Sequence, residues 1–311
     1  MNERMSRMPA GSKKFTERIY NKRYIYLMAL PVILYYLIFH YIPITGNIIA
    51  FQDFIPFKGF LKSEFVGFQH FIDFFNSPYA FRVIRNTILM NVLDIIFGFP
   101  FPIILALLIN EIHNRYFKKV VQTISYFPHF ISLVVVCGMI ADFSRTTGLF
   151  NVIRDIFGLE AENLLISNEY FRTIFVGSGI WKQVGWNSIL YMATISAIDP
   201  TLYEAAEIDG AGRFKKLWHI TLSSLVPLMT IQFILRIGNV MSVGFEKVIL
   251  LYNPSTYEVA DVITSFVYRR GLEEMNYSFG TAVGLFNSVI NVIFLVTANR
   301  LIRKYSENSL W

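Results

Sequence analysis

The sequence predicts an all-α, polytopic membrane protein of six transmembrane helices, and three observations predict it. Of the 311 residues, 54% are hydrophobic and 16% charged, with a mean hydropathy of +0.46, whereas average globular chains hold about 45–50% apolar and about 25% charged residues. The apolar residues gather into blocks long enough to span a bilayer instead of recurring at amphipathic spacing. The basic residues, which leave a formal net charge of +6, sit in short clusters beside those blocks. That is the topology signal of a membrane protein and not the aromatic-interleaved stripe of a nucleic-acid binder.

A basic tail, residues 1–23, carries Arg4, Arg7, Lys13, Lys14, Arg18, Lys22 and Arg23 and precedes a transmembrane domain over residues 24–311. Spans are expected near residues 24–49, 83–110, 120–141, 171–198, 222–243 and 280–301. The first is too long for the apolar region of a signal peptide and lacks a small-x-small cleavage site at the expected distance, so it reads as a membrane helix. Pro100 and Pro102 interrupt the second block and Pro128 lies early in the third. Such breaks are tolerated in a bundle where neighbours satisfy the freed backbone groups.

Orientation follows from Lys and Arg near the span ends, which are retained on the cytoplasmic side. The tail, the 111–119 and 200–217 loops and the C-terminal Arg300, Arg303 and Lys304 hold 16, and the alternate connections 51–82, 142–170 and 244–279 hold 8. Both termini are therefore placed in the cytoplasm, with the chain multi-pass in the cell membrane. The outer connections are long. One carries the amphipathic run Phe65–Phe75, whose aromatics suit either a membrane interface or a docking surface.

Several chemistries lack their residues. The single cysteine, Cys137, lies within an apolar run and reads as a packing residue, so the chain has no internal disulfide or CxxC motif. His40, His70, His113, His129 and His219 show no metal-ligand spacing, and no Ser/His/Asp or Cys/His set falls on one site. There is no G-x-x-x-x-G-K-[ST] loop to cradle a nucleotide.

The connection between the fourth and fifth spans, residues 199–221, reads as two short helices around a turn. Asp199 is a good N-cap and Pro200 suits the first helical position. Gly210, beside Asp209, supplies the left-handed residue that ends a helix. Ala205 and Ala206 keep the first helix thin enough for another protein to approach closely, and Glu204 and Glu207 flank it with charge. Local features leave two roles open, a helix gripped by a partner or one resting on lipid head groups.

Glu204-Ala-Ala-x-x-Asp209-Gly210-Ala211, followed by Ile220-x-Leu222 and Pro227, resembles the EAA motif of binding-protein-dependent ABC importer permeases. The similarity extends through Phe65-Val-Gly-Phe68, Arg85-Asn-Thr87, Trp181-Lys-x-x-Gly-Trp-Asn187, Tyr268-Arg-Arg-Gly271 and the terminal Ser309-Leu-Trp311. On these residues the chain resembles the LplB-type polysaccharide permeases, a branch of the maltose-permease-like carbohydrate importers that includes alginate importers. The resemblance implies a type I importer transmembrane domain forming half of a pore for an oligosaccharide or polysaccharide. It also implies a coupling helix formed by Glu204, Ala205, Ala206, Glu207, Asp209, Gly210 and Ala211. The implied partners are a second, homologous permease, two cytoplasmic ABC ATPase subunits that bind the ATP and Mg, and an extracytoplasmic sugar-binding lipoprotein. No cofactor is implied in this chain. Ser223 departs from the family, where proline usually follows the leucine, and a softer break is expected there.

Polar side chains at membrane depth nominate a pathway, because they are costly unless they face protein or water. Gln183, Asn187, Tyr191 and Thr194 form one helical stripe, flanked by Lys182 and Trp186; Gln232, Arg236 and Asn239 form a second, and Asn91 with Asp94 a third. Amides with Trp186 and Tyr191 suit the hydroxyls and C–H faces of a sugar. The same groups equally suit interhelical hydrogen bonding, and Arg236 has Asp94 as an alternative partner. Gly280, Gly284 and Ser288 form a small-residue stripe that reads as helix packing. A passive channel and an intramembrane enzyme using Asp94 and Lys182 are the competing readings, and neither needs a docking loop at residues 204–211.

Overall fold

The computed structural model describes residues 22–305; most of the expected basic tail and the Ser309–Trp311 stretch lie outside the described residues. The described residues up to Gly67 form one compact unit and those from Phe68 a second.

The first unit is helix α1, Arg23–Phe51, followed by a two-stranded hairpin pairing Gln52–Asp53 with Glu64–Phe65. Nearly all of α1's side chains are exposed, as suits a helix that is apolar all round and has lipid for its solvent.

The second unit begins with a short helix, Gln69–Asn76. The amphipathic run around it turns an aromatic inward: Phe74 is buried, its ring 5.8–6.3 Å from those of Phe266, Phe279 and Phe286. Helix α2, Ala80–Asn110, passes through a π-helical segment at Asp94–Gly98 just before Pro100. A proline within a helix lacks its own N–H and crowds the carbonyl four residues back, and the wider turn accommodates both.

The third block departs from the single span expected over residues 120–141. It is two helices, α3 Arg115–Phe130 and α4 Leu133–Phe143, meeting at 96°. Residues 131 and 132 are extended, and the Ser132 hydroxyl accepts from the Val135 N–H at 3.3 Å, starting a new helix in a new direction.

Helix α5, Phe171–Ser196, leads to the short α6, Pro200–Ile208. The expected second short helix is the first turn of a long one: α7 runs from Arg213 to Gly238. The fifth helix thus starts nine residues before the expected position 222. A π-helical segment at Leu217–Leu222 carries it through, and Ser223, which keeps an N–H that proline would lack, continues it with its hydroxyl bonded to the Ile220 carbonyl at 3.0 Å. Helix α8, Tyr277–Tyr305, closes the described chain.

Among the described residues α1, α2, α7 and α8 are long and apolar enough to cross a membrane, and the bent α3–α4 pair is a fifth candidate. The 26 residues of α5, about 39 Å at 1.5 Å each, have the length, but the polar stripe lowers their hydropathy.

Three buried clusters hold the second unit. Met90, Val136, Cys137, Phe171 and Val248 join α2, α4 and α5 to the 243–262 region. Phe74, Val83, Ile263, Phe266 and Val283 join α2 to α8, and Ile103, Ala106, Tyr191 and Leu225 join α2, α5 and α7. In lipid no hydrophobic term draws helices together, so close packing and missing side chains decide where they cross. Gly280 meets Gly271, where a Cβ would lie 2.7 Å from the Gly271 Cα, but Gly284 of the expected stripe faces open space. The closest crossing is that of α3 and α5, where a Cβ on Gly185 would overlap the Ser125 carbonyl.

Because that neighbour is backbone and cannot swing aside, Gly185→Ala is expected to destabilise the protein by about 1–3 kcal/mol, the usual cost of overpacking. Thermal unfolding in detergent should show a lowered midpoint. Gly177→Ala, whose added Cβ meets nothing within 4 Å, should match the wild type. Equal midpoints for both variants would refute the close crossing.

Candidate functional site

The exposed 199–212 segment is built by its caps. The Asp199 carboxylate accepts from the Thr201 N–H at 3.0 Å, and that backbone bond is the first cause of a carboxyl held below its usual pKa. The cap's contribution is therefore fully present above the ordinary carboxylate range and is lost as pH falls through the lowered native value. Pro200 occupies the first helical position. At the other end Ala211 N–H bonds to the Ala206 carbonyl and Gly210 N–H to that of Glu207, at 2.8 and 3.0 Å, while Gly210 has φ +74°. These are the paired bonds of a Schellman stop, which needs a left-handed residue at that place.

Helix α6 thereby presents Glu204, Ala205, Glu207, Asp209 and a highly exposed Ile208 outward, with Ala206 half-buried. Two links tie it to α7: the Tyr203 hydroxyl lies 2.9 Å from the Thr221 hydroxyl, and Lys216 pairs with Glu207 at 3.3 Å.

The polar stripes meet in part. A cavity of about 240 Å³ is lined by Phe99, Pro102, Trp186, Asn187, Leu190, Tyr191, Gln232 and Arg236. The structure therefore brings Trp186, Asn187, Tyr191 and Arg236 together, and Asp94 joins them through an ion pair with Arg236 at 2.8 Å. Leu190 lines this space as well. Trp186 stacks on His129 with ring centres 4.3 Å apart and planes 2° from parallel, which covers one indole face.

The other nominated residues do other work. The Gln183 Oε1 accepts from His129 Nδ1 at 3.0 Å. Asn91 and Asn239 donate to carbonyls of their own helices, those of Thr87 and Leu235. Lys182 reaches the α3–α4 break, where its ammonium donates to the carbonyls of Pro128, His129 and Ile131 at 3.4, 2.9 and 2.6 Å. A second, larger cavity of about 450 Å³, lined by Val136, Met139, Phe143, Phe150 and Trp181 among others, is apolar and offers a sugar few partners.

Sequence reasoning did not find the polar network of the 257–273 region. Asp261 is fully buried and pairs with Arg269 at 2.7 Å and Arg82 at 3.4 Å. Arg85 pairs with Glu258 at 3.1 Å. Asn86, also fully buried, donates to the carbonyls of Glu258 and Asp261 and accepts from Arg172 at the start of α5. The Thr87 hydroxyl accepts from the Ile263 N–H at 2.9 Å. The available signal was the Arg85-Asn-Thr87 and Arg269-Arg270 runs.

The second unit is a bent helical bundle with a polar cavity and an exposed, doubly capped loop helix, the build of a membrane protein, and comparison with known proteins places it in a family. The model of the inner membrane component of binding-protein-dependent transport systems matches residues 79–307, and the chain belongs to that family. It is 42% identical over 302 residues to the polygalacturonan/rhamnogalacturonan transport system permease protein YteP of Bacillus subtilis (strain 168), covering 96% of this chain and 94% of that protein. It is also 42% identical over 292 residues to protein LplB of the same organism, covering 93% and 91%. A chain of the bacterial alginate ABC transporter, solved with an alginate pentasaccharide-bound periplasmic protein, superposes with a TM-score of 0.87 at 41% identity, covering 94% of this chain and 99% of that one. The protein is a permease subunit of an ABC importer, a transport component and not an enzyme. The channel and intramembrane-enzyme readings fall away.

Lys182→Met should remove three hydrogen bonds at the helix break and leave carbonyls there without a donor, at a cost of about 1–3 kcal/mol. A lowered unfolding midpoint of the purified protein is the expected result. An unchanged midpoint with impaired uptake would instead return Lys182 to the pathway.

Proposed function

We propose that this chain forms half of the pore of an importer for oligosaccharides of an acidic polysaccharide, delivered by an extracytoplasmic sugar-binding lipoprotein. The other half is a second, homologous permease, and two cytoplasmic ATPase subunits bind ATP and Mg. The observation that carries the reading is the polar cavity at Trp186, Asn187, Tyr191, Gln232 and Arg236. It offers amide and hydroxyl groups, an aromatic ring and a cation, which are the partners of sugar hydroxyls, sugar C–H faces and a uronate carboxylate. The substrate class is supported by the relatives, whose named polymers, polygalacturonan/rhamnogalacturonan and alginate, carry carboxylates.

In this reading six spans cross the cell membrane, with α5 and the bent α3–α4 pair counted among them. Both termini lie in the cytoplasm, as the excess of Lys and Arg on that side supports. Residues 204–211 are then cytoplasmic and form the coupling helix. Small residues at 205 and 206 let an ATPase groove close around it, and its two links to α7 pass the motion to a wall of the cavity.

Glu204→Lys reverses a charge in the docking surface without touching the caps or the Tyr203 and Glu207 contacts. In the purified complex, stimulation of ATP hydrolysis by the loaded binding protein should fall at least tenfold while the subunits still co-purify. Full stimulation together with normal uptake in cells would sink the coupling role.

A further inference from the structure

The Asp94–Arg236 pair has the geometry of a placeholder. A guanidinium carries five N–H donors in a planar fork and binds a carboxylate best through two parallel bonds from one edge. Here one nitrogen, Nη1, makes both of the bonds to Asp94, at 2.8 Å to the carboxylate Oδ2 and 3.3 Å to the backbone carbonyl. Among the described residues Nε and Nη2 of Arg236 hydrogen-bond to no protein group, and the residue lines the polar cavity. The guanidinium also lies 5.8 Å from the centre of the Phe99 ring, and its remaining donors are without a protein hydrogen-bond partner at a residue that lines the cavity.

The carboxylate is held in the same provisional way. Asp94 is about half exposed, and only its Oδ2 is engaged by the pair. It stands on the π-helical segment Asp94–Gly98, and the space beside it is kept by a missing side chain: a Cβ on Gly98 would lie 2.6 Å from Asp94 Oδ1 and 3.5 Å from Arg236 Nη1. A permanent structural pair is expected to be buried, as Asp261 is where Arg82 and Arg269 both reach its Oδ2. The Asp94–Arg236 pair is instead half-exposed beside the cavity.

The neighbouring lysine is held elsewhere. Lys247 makes no ion pair among the described residues, its ammonium resting on the Phe175 carbonyl and ring, and it does not line the polar cavity. The cation that faces the cavity is therefore Arg236.

We propose that Arg236 is a specificity-determining residue that exchanges carboxylates: it pairs with Asp94 in the empty pore and with a uronate group of the passing sugar through its remaining donors. Asp94 is then a built-in competitor. It keeps the guanidinium paired when no substrate is present, and it lowers affinity enough for the sugar to leave, since a transport site must release what it binds. The inference rests on the acidic-sugar reading above.

A test of exchange lies in the opposite signs of two isosteric changes. The complete importer, with its partner permease, ATPases and binding protein, is reconstituted in proteoliposomes, and uptake of trigalacturonate is measured as KM and kcat. Arg236→Gln should raise KM roughly ten- to hundredfold, the span expected for loss of a charge-assisted pair. Asp94→Asn, by removing the competitor, should lower KM severalfold. Loss of uptake in both variants with intact co-purification would make the pair structural and overturn the exchange while the acidic-sugar reading stands. So would an unchanged KM in Arg236→Gln. If the wild-type importer takes up neither trigalacturonate nor an alginate trimer, the substrate reading fails, and the exchange fails with it.

Discussion

The architecture turns on the place where α3 and α5 touch. With no side chain at Gly185, the backbone of α5 lies directly on the Ser125 carbonyl of α3. One turn away, Lys182 donates to three carbonyls at the sharp end of α3. Helices in lipid gain nothing from hiding apolar surface from one another, and a broken helix end there exposes polar groups that hydrocarbon cannot satisfy. The glycine and the lysine answer these two constraints together. The crossing also fixes His129 against Trp186, which gives the cavity its aromatic wall. A substitution at Gly185 or Lys182 thus reaches the cavity without any contact between the altered residue and a sugar.

A second polar cluster does comparable work around Asp261. Two arginines converge on one fully buried carboxylate, and Asn86 and Thr87 use side chains to satisfy backbone groups of the 258–263 segment. A buried charge is costly unless fully paired, and removing one partner leaves the other stranded. This network ties together the start of α2, the start of α5 and the 257–273 region. The contrast with Asp94–Arg236 is informative. The same residue types make a fully buried joint in one place and a half-exposed contact in the other, so burial separates the two.

Much of the candidate site was legible in the sequence where the governing physics is local. Asp199, Pro200 and Gly210 act within a few residues of themselves, and the caps, the short helix and the left-handed stop follow from those residues alone. The stripes at Asn187–Tyr191 and Gln232–Arg236 were legible because helical spacing fixes which side chains share a face. What spacing cannot supply is the neighbour across the gap. Lys182 sits beside the α5 stripe and reads as part of the pathway, yet its partners lie over 50 residues away on the α3–α4 break. The 96° bend escaped notice because a hydropathy block records apolarity and not direction. The early start of α7 escaped it because Arg213, Lys215 and Lys216 look like loop residues until a π-helical segment carries the helix past them. Asp261 was missed because its partner Arg82 lies 179 residues away in the chain.

The continuity of α7 has a mechanical consequence in the proposed coupling. From Arg213 to Arg236 the chain is one helical rod of 23 steps, about 35 Å at 1.5 Å per residue. The Tyr203–Thr221 and Glu207–Lys216 contacts attach α6 near its lower end, while Gln232 and Arg236 stand at the cavity near its upper end. A break at Ser223 would have let α6 move while the cavity stayed still. With serine there and the π-helical turn before it, displacement of α6 is passed along a single element to the guanidinium that meets Asp94. Tyr191 on α5 packs with Leu225 of α7 in a shared buried cluster, so the facing wall is drawn into the same movement. In the proposed coupling, both walls of the cavity would answer to one short exposed helix, with the Asp94–Arg236 contact between them.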